Sequence, residues 1–414
     1  VLQFTAVRQD YIIAFLGESM GDVAGDAVMS SDHVRILVAP DSFKGSIDAP
    51  EFCSIAEKAF KEAIPGCEVV GLPMADGGEG TAEALVRGVG GNMLTVAVRG
   101  PMGDPVQASY GLLGDGATAV VEMAQASGLP LIPVAQRNPV HAGSYGTGEL
   151  ILAALEQGAR HIILGLGGSA TNDGGMGALQ ALGIRFYGRD GELVAPIAGS
   201  LSEIASVDVS AADSRLAGVR FTIASDVTNP LLGECGATAI YAPQKGASKS
   251  GLQQLEQGMS NFADITASVT GEDHRHDEGA GAAGGMGFGF LSYTGAKLCS
   301  GFEVVAETYQ LEQCLARGPW HLLVTGEGQV DSQSVQGKLV GRIAGMAARH
   351  SIPVLVVAGS VSGKLDALYQ AGVTSVTSIV PGPMALEEAM QDAPRFLRQR
   401  LTDMCRLWHV GTNT

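Results

Sequence analysis

Five short strings of the 414-residue sequence gather the residue types that handle phosphate: APDSFKG (39–45), PMADGGEGT (73–81), GLGGSATNDGG (165–175), ASDVTNP (224–230) and TGEGQVDSQSVQGK (325–338). They join small residues, mostly glycine, to one or two carboxylates, and some add a lysine or a hydroxyl. Taken singly, any of them is a tight turn with a capping acid. Five of them, each after a strand-like run, exceed what turning requires, because a turn alone needs no acid behind every strand. Glycine lets backbone amides approach a ligand, carboxylates hold a cation or take a proton, and a lysine is a point charge for phosphate or carboxylate oxygens. Together these are the parts of phosphoryl transfer, a reaction run by positioning and charge neutralisation.

Two other chemistries compete for the same strings. GLGGSA has the G-x-G-x-x-A spacing of a dinucleotide fingerprint, after a strand and before a helix, with Asp190 about 20 residues further on, and so supports an NAD enzyme. Against it, Asn172 and Asp173 follow at once, and an acid at a helix N-terminus competes with pyrophosphate for the same amides. GAGAAG (279–284) repeats the spacing behind EDHRHDE, which is no strand, and reads as a close-approach loop or helix packing. A two-domain ligand-binding protein is the third reading. Lys338 and Lys364 follow glycine but precede leucine, so no G-x-x-x-x-G-K-[ST] exists and a P-loop enzyme is excluded. Lys44, Lys245 (in APQKGA) and Lys338 are the lysines set in glycine-rich turns. His274 and His276 suggest no metal set, and no G-x-S-x-G elbow surrounds Ser169 or Ser144.

The elements that must position these strings alternate. VRILVA (34–39) is a buried strand, and Ile47 to Ala63 carries apolar residues at 52, 55, 56, 59, 60 and 63, the stripe of a helix. Strand EVVGL and a helix from Glu79 to Val86 follow. From Met93 to Val121 three extended runs are split by GPMGDP and GDG turns without helical periodicity. The middle holds a strand at 161–166, a helix near 174–182 and a strand near 219–225. After about 300, HLLVT, a helix at 336–349, PVLVVA, a helix near 364–370, TSVTSIV and a last helix from 385 alternate again. This predicts an α/β protein: a doubly wound parallel-sheet domain built from both chain ends, 33–99 and 300–410, with a second, mixed α/β domain, 100–299, inserted. In such sheets ligands bind beyond the carboxyl ends of strands, where the five strings fall. Residues 1–32 read as an appended, poorly ordered arm.

Lysine and arginine total 26 against 43 aspartates and glutamates, a net charge of −17, which excludes nucleic acid and anionic membrane surfaces as partners. Glycine, at 58 residues, is clustered rather than periodic, so the chain is not collagen-like. No apolar run nears the ~20 residues of a membrane span, and neither signal peptide nor anchor is expected. The six cysteines lie far apart with no C-x-x-C, which fits a reduced cytosol.

In order along the chain, ILVAPDSFKGS, PMADGGEGT, SYGTGELI, GLGGSATNDGG, DVTNPLLG, APQKGA, GAGAAGGMG and VTGEGQVDSQS resemble the motifs of the bacterial type I glycerate kinases, from about Val34 through the C-terminal helices. Glu278 stands where a proline is more usual. The resemblance implies ATP-dependent, Mg²⁺-requiring phosphorylation of D-glycerate, most often on the 2-hydroxyl to give 2-phosphoglycerate, as in glyoxylate, glucarate or galactarate breakdown; 3-phosphoglycerate is the alternative product. It also implies a flavodoxin-like domain carrying an inserted α/β domain. The chain is expected to be a cytoplasmic monomer or homodimer that works in a closing interdomain cleft. On this reading a carboxylate accepts the glycerate hydroxyl proton, with Asp173 preferred and Asp226 as the other candidate, and Lys44 absorbs developing charge. Asp41, Ser42, Lys245, Gly168, Ser169, Thr171, Asn172, Gly326 and Lys338 are expected to bind substrate or phosphate. Asp76, Glu79, Glu327 and Asp331 are expected to hold the metal.

Overall fold

The structure, a computed structural model, describes residues 34–331, 334 and 339–412. The expected N-terminal arm and Lys338 lie outside them. Among the described residues the strands are β1 Arg35–Val38, β2 Glu68–Gly71, β3 Gly91–Arg99, β4 Pro105–Leu113, β5 Thr118–Glu122, β6 His161–Gly165, β7 Arg185–Gly188, β8 Ile204–Asp208, β9 Arg220–Ala224, β10 Lys297–Cys299, β11 Leu322–Val330, β12 Val354–Val361 and β13 Val373–Ser378. They belong to two compact units. The first takes the chain up to Ala75, Glu83–Val89 and everything from Val305 on; the second takes Asp76–Ala82 and Gly90–Val304.

The first unit is a five-stranded parallel sheet in the order β13-β12-β11-β1-β2. Counting only its own strands, this is the 2-1-3-4-5 order of flavodoxin-like doubly wound sheets. Three of the four residues of β1 are buried, as a strand covered on both faces must be. The helix Ala49–Ala63 starts where Asp48 accepts the Glu51 N–H at 2.6 Å and Pro50 fills its first turn. Its Phe52, Ala56 and Phe60 share one core with Ile36, Val38, Val324 and Val357 of the sheet and with Leu397 and Leu401 of the helix Ala393–Thr412. Each large side chain buried there contributes about 1.5–3 kcal/mol.

The second unit holds a six-stranded sheet, β10-β9-β6-β5-β4-β3, in which β5, β6, β9 and β10 run parallel and β3 and β4 form an antiparallel edge. Val121, Leu164 and Ile223 meet Leu150, Ile151 and Phe290 in its core. The ribbon β7–β8 closes a second cluster with Phe262 and Phe288, where Phe262 packs edge-on to Phe288 with ring centroids 5.7 Å apart. No described helix is long and apolar enough to cross a membrane.

Several boundaries move. The helix expected from Glu79 spans Thr81–Val89, the one expected near 174 begins at Met176, and the final helix is two, Leu386–Gln391 and Ala393–Thr412. The larger change is in β11, which runs on through Gly326, Glu327 and Gly328 to Val330 instead of stopping at Thr325. Glycine is required here by close approach: a Cβ on Gly326 would lie 2.1 Å from the Val357 carbonyl oxygen of β12. Gly326 and Glu327 therefore sit inside a strand, paired with Val357 and Ala358, and not in a loop beyond it.

Candidate active site

In the second unit β6 ends at Gly165 and the chain turns through Gly168 (φ 72°) to Ser169, which bridges to Gly128. The helix does not open there. Instead Thr171, Asn172 and Asp173 form a fully buried turn, each 0% exposed, before the helix Met176–Ala181 begins. Asp173 is the hub of that turn. Its Oδ2 accepts the Ser144 N–H at 2.8 Å, the Ser144 hydroxyl at 2.7 Å and the Gly177 N–H at 3.2 Å, and its Oδ1 accepts the Gly175 N–H at 3.2 Å. Burial pushes the carboxyl up from its ordinary value while these donors pull it back. The Ser144 hydroxyl in turn accepts the Ala178 N–H at 3.0 Å. First-turn amides of the helix are thus already taken by Asp173 and Ser144. That removes the pyrophosphate site a dinucleotide fingerprint requires, and Asp190 is occupied locally, capping the Glu192 N–H at 3.1 Å.

Lys245 comes to this turn from a 3₁₀ segment, Pro243–Lys245. Its side chain is 3% exposed, with Nζ donating to Ser169 Oγ at 2.8 Å and to the Thr171 carbonyl at 2.7 Å. Burial pulls the ammonium down to about 7, and the nearby Asp173 charge works in the opposite direction. Asn172 donates to Thr238 Oγ1 at 3.1 Å. Two atoms of the turn are left over: Thr171 Oγ1 and Asn172 Oδ1 are buried with no hydrogen-bond partner among the described residues. A buried polar atom left unpaired costs about 1–3 kcal/mol, so a donor and acceptor pair from a ligand is favoured here.

The second glycine string supports this turn from behind. Ala283, Gly284 and Gly285 have φ of 54°, 68° and 88°, and the Gly174 N–H donates to the Gly284 carbonyl at 3.0 Å. A Cβ on Gly284 would lie 2.2 Å from the Thr171 carbonyl oxygen. GAGAAG is therefore a close-approach loop. His274 is used locally as well, pairing with Asp277 at 2.7 Å and Glu272 at 3.1 Å.

The string 76–81 lies in the same unit. A Cβ on Gly77 would meet the Ala224 carbonyl oxygen at 2.8 Å, and one on Gly167 would meet Gly78 Cα at 2.9 Å, so this loop stands against the ends of β9 and β6. Asp76 is half-buried and its Oδ1 accepts the Gly78 N–H at 3.0 Å; Glu79 is exposed. Glu122, the last residue of β5, is buried and takes the Ala82 N–H at 2.7 Å and the Gly80 N–H at 3.3 Å, capping the helix Thr81–Val89 whose own N-cap is Gly80. Burial pushes the Glu122 carboxyl up, and the two amides oppose it. Asp226 is exposed two residues beyond β9.

The first unit holds the remaining candidates. Asp41 anchors the end of β1 through its N–H to the Gly326 carbonyl at 2.8 Å, and its Oδ1 accepts the Ser42 N–H at 2.7 Å. Lys44 is exposed on the turn closed by Phe43 and Ile47. Glu327 is half-buried in β11, and Asp331 follows it, donating its N–H to Ser334 Oγ at 3.1 Å. Among the described residues no three His, Cys, Asp or Glu side chains gather as a cation cage. Acidic side chains supplied one or two at a time suit Mg²⁺, which keeps waters and takes phosphate oxygens as its other ligands.

Of the expected residues, Ser169, Thr171, Asn172, Asp173 and Lys245 converge directly. Sequence reasoning did not assign Ser144, Thr238 or Glu122. Glu122 did leave a signal, an acid ending the apolar run TAVVE, while Ser144 carries only its place in SYGTGELI.

A family model described as the glycerate kinase family matches residues 36–409. A glycerate kinase of Bacillus subtilis is 46% identical over 371 residues, covering 90% of this chain and 97% of that protein. A glycerate 2-kinase of Escherichia coli is 43% identical over 360 residues, covering 87% and 94%. A crystal structure of a protein provisionally assigned as glycerate kinase 2, from Salmonella typhimurium LT2, superposes with a TM-score of 0.84 at 41% identity, covering 92% of this chain and 100% of that one.

Proposed function

Because the chain belongs to the glycerate kinase family, we propose that this kinase moves the γ-phosphoryl group of ATP to the 2-hydroxyl of D-glycerate, giving 2-phosphoglycerate, with Mg²⁺. The observation that carries the acceptor assignment is the buried set Lys245 Nζ, Thr171 Oγ1 and Asn172 Oδ1. A small hydroxy acid supplies what this set lacks: a carboxylate for the lysine and hydroxyl protons for an amide oxygen.

Asp173, held by four donors and 0% exposed, positions the turn in this mechanism. Asp226 takes the acceptor's hydroxyl proton, since it is the exposed carboxylate beyond β9. Asp41, Ser42, Lys44, Gly326 and Lys338 bind phosphate oxygens, as does Gly168 through its backbone. Asp76, Glu79, Glu327 and Asp331 would hold Mg²⁺, which supplies charge neutralisation on the phosphate oxygens. The reading extends to glyoxylate and glucarate breakdown in the cytoplasm, by a monomer or homodimer.

Phosphorus NMR of the protein with ATP, Mg²⁺ and D-glycerate tests it. A 2-phosphoglycerate resonance is expected. A 3-phosphoglycerate resonance would overturn the assigned hydroxyl, and no phosphoglycerate from folded protein would overturn the reading.

A further inference from the structure

Ser169 and Lys245 form a pair whose geometry fits more than substrate binding. Ser169 is half-buried and its Oγ stands 2.8 Å from Lys245 Nζ. The other partner of Nζ is the Thr171 carbonyl, and no carboxylate hydrogen-bonds this lysine among the described residues. Both partners are neutral, so burial favours the neutral amine; the amine is pulled down to about 7, with Asp173 the titratable group that opposes the shift. A neutral amine has two hydrogens and a lone pair. As an ammonium, Nζ donates to both Ser169 Oγ and the Thr171 carbonyl; once neutral it keeps the Thr171 bond, and the 2.8 Å contact reverses so that the Ser169 hydroxyl donates to the nitrogen lone pair. A serine in contact with a neutral lysine is a known variant of the nucleophile and base pair.

We propose that Ser169 is the nucleophile and Lys245 the base of such a pair, and that Ser169 is an autophosphorylation site taking its phosphoryl group from a nucleoside triphosphate. The new bond is from Ser169 Oγ to the terminal phosphorus. The bond that breaks joins that phosphorus to the bridging oxygen, and the nucleoside diphosphate leaves with the electron pair. The hydroxyl proton passes to Lys245 Nζ. The product sets a phosphoserine dianion beside a newly charged ammonium, giving the buried lysine a counter-ion. The proposal shares the nucleotide with the proposed function but does not depend on the acceptor.

The test omits glycerate. The full chain is incubated with ATP and Mg²⁺, and separately with a fluorophosphonate, between pH 6 and 9, and peptides are mapped by mass spectrometry. The expected result is modification at Ser169 by both reagents, about tenfold faster at pH 8 than at pH 6, following the neutral-amine fraction. It should be absent in Ser169→Ala and at least tenfold slower in Lys245→Met. Lys245→Arg, which keeps a cation and holds its proton across this range, should match Lys245→Met and serves if that variant does not fold. An unmodified Ser169 in folded protein, or wild-type rates in both lysine variants, overturns the pair. Phosphonate labelling without phosphate overturns the phosphorylation.

Discussion

Ser144 grips Asp173 twice, through its backbone N–H at 2.8 Å and its hydroxyl at 2.7 Å, both to Oδ2. Because the same hydroxyl accepts from Ala178, one serine joins the starts of the helices Tyr145–Glu156 and Met176–Ala181. Ser144→Ala should therefore destabilise the protein by about 1–3 kcal/mol, the cost of buried groups left unpaired. Asp173→Ala, which strands four donors, should cost more. Urea unfolding of both variants checks the order, and equal small losses would mean the network is not what holds the turn.

Asp226→Asn should lower kcat by roughly 10²–10⁴ with the fold unchanged, the range for removing a general base. Asp173→Asn should instead lose stability together with activity. A stable Asp173→Asn with a deeply reduced kcat, beside an active Asp226→Asn, would exchange the two assignments.

Lys245 links stability to pH. Its folded value is depressed from 10.5 to about 7, so between these the unfolded chain binds more protons than the folded one and stability rises with pH. The unfolding free energy of the wild type minus that of Lys245→Met should grow from pH 7 to pH 10. A flat difference would show that the amine keeps its proton in the folded state.

Gly284→Ala tests the support behind the turn. The residue sits at φ 68° with no room for a Cβ, 2.2 Å from the Thr171 carbonyl oxygen. Backbone strain alone costs about 1–3 kcal/mol, and relief must displace the Thr171 to Asp173 turn. Both a lower denaturation midpoint and a raised KM for the acceptor are expected; a raised KM should be missing in a remote control such as Gly345→Ala, where a Cβ meets nothing.

Asp76→Asn should shift the Mg²⁺ titration of activity to higher concentration with little change at saturating metal. An unchanged titration removes Asp76 from the metal ligands. Glu327→Gln, measured in parallel, shows which unit's carboxylates carry the cation.

What could be seen in the sequence follows from how local each determinant is. β1 and β6 announce themselves as apolar runs, and Asp48 with Pro50 marks the start of its helix within three residues. The glycines of TGEGQV suggest a turn after Thr325, whereas Gly326 is what lets β11 continue close against Val357 of β12. Lys245 was visible as a lysine in a glycine turn, but its burial depends on Ser169 and Thr171, 76 and 74 residues away. Glu122 was hidden for the same reason, its amide partners being about 40 residues upstream.

The pairing of β1 with β11 joins Ile36 to Leu322, about two thirds of the 414-residue chain apart. During translation at about 5–20 residues per second, β1 leaves the ribosome roughly 15–60 seconds before the strand that completes its sheet. Over that interval the second unit's sheet can form from contiguous sequence, while RILV and EVVG wait as a two-stranded fragment with an open, apolar edge. The first unit is thus the last to mature. Slow elongation or truncation before Leu322 exposes that edge to aggregation, and a chaperone that shields nascent strands would act on the N-terminal half first.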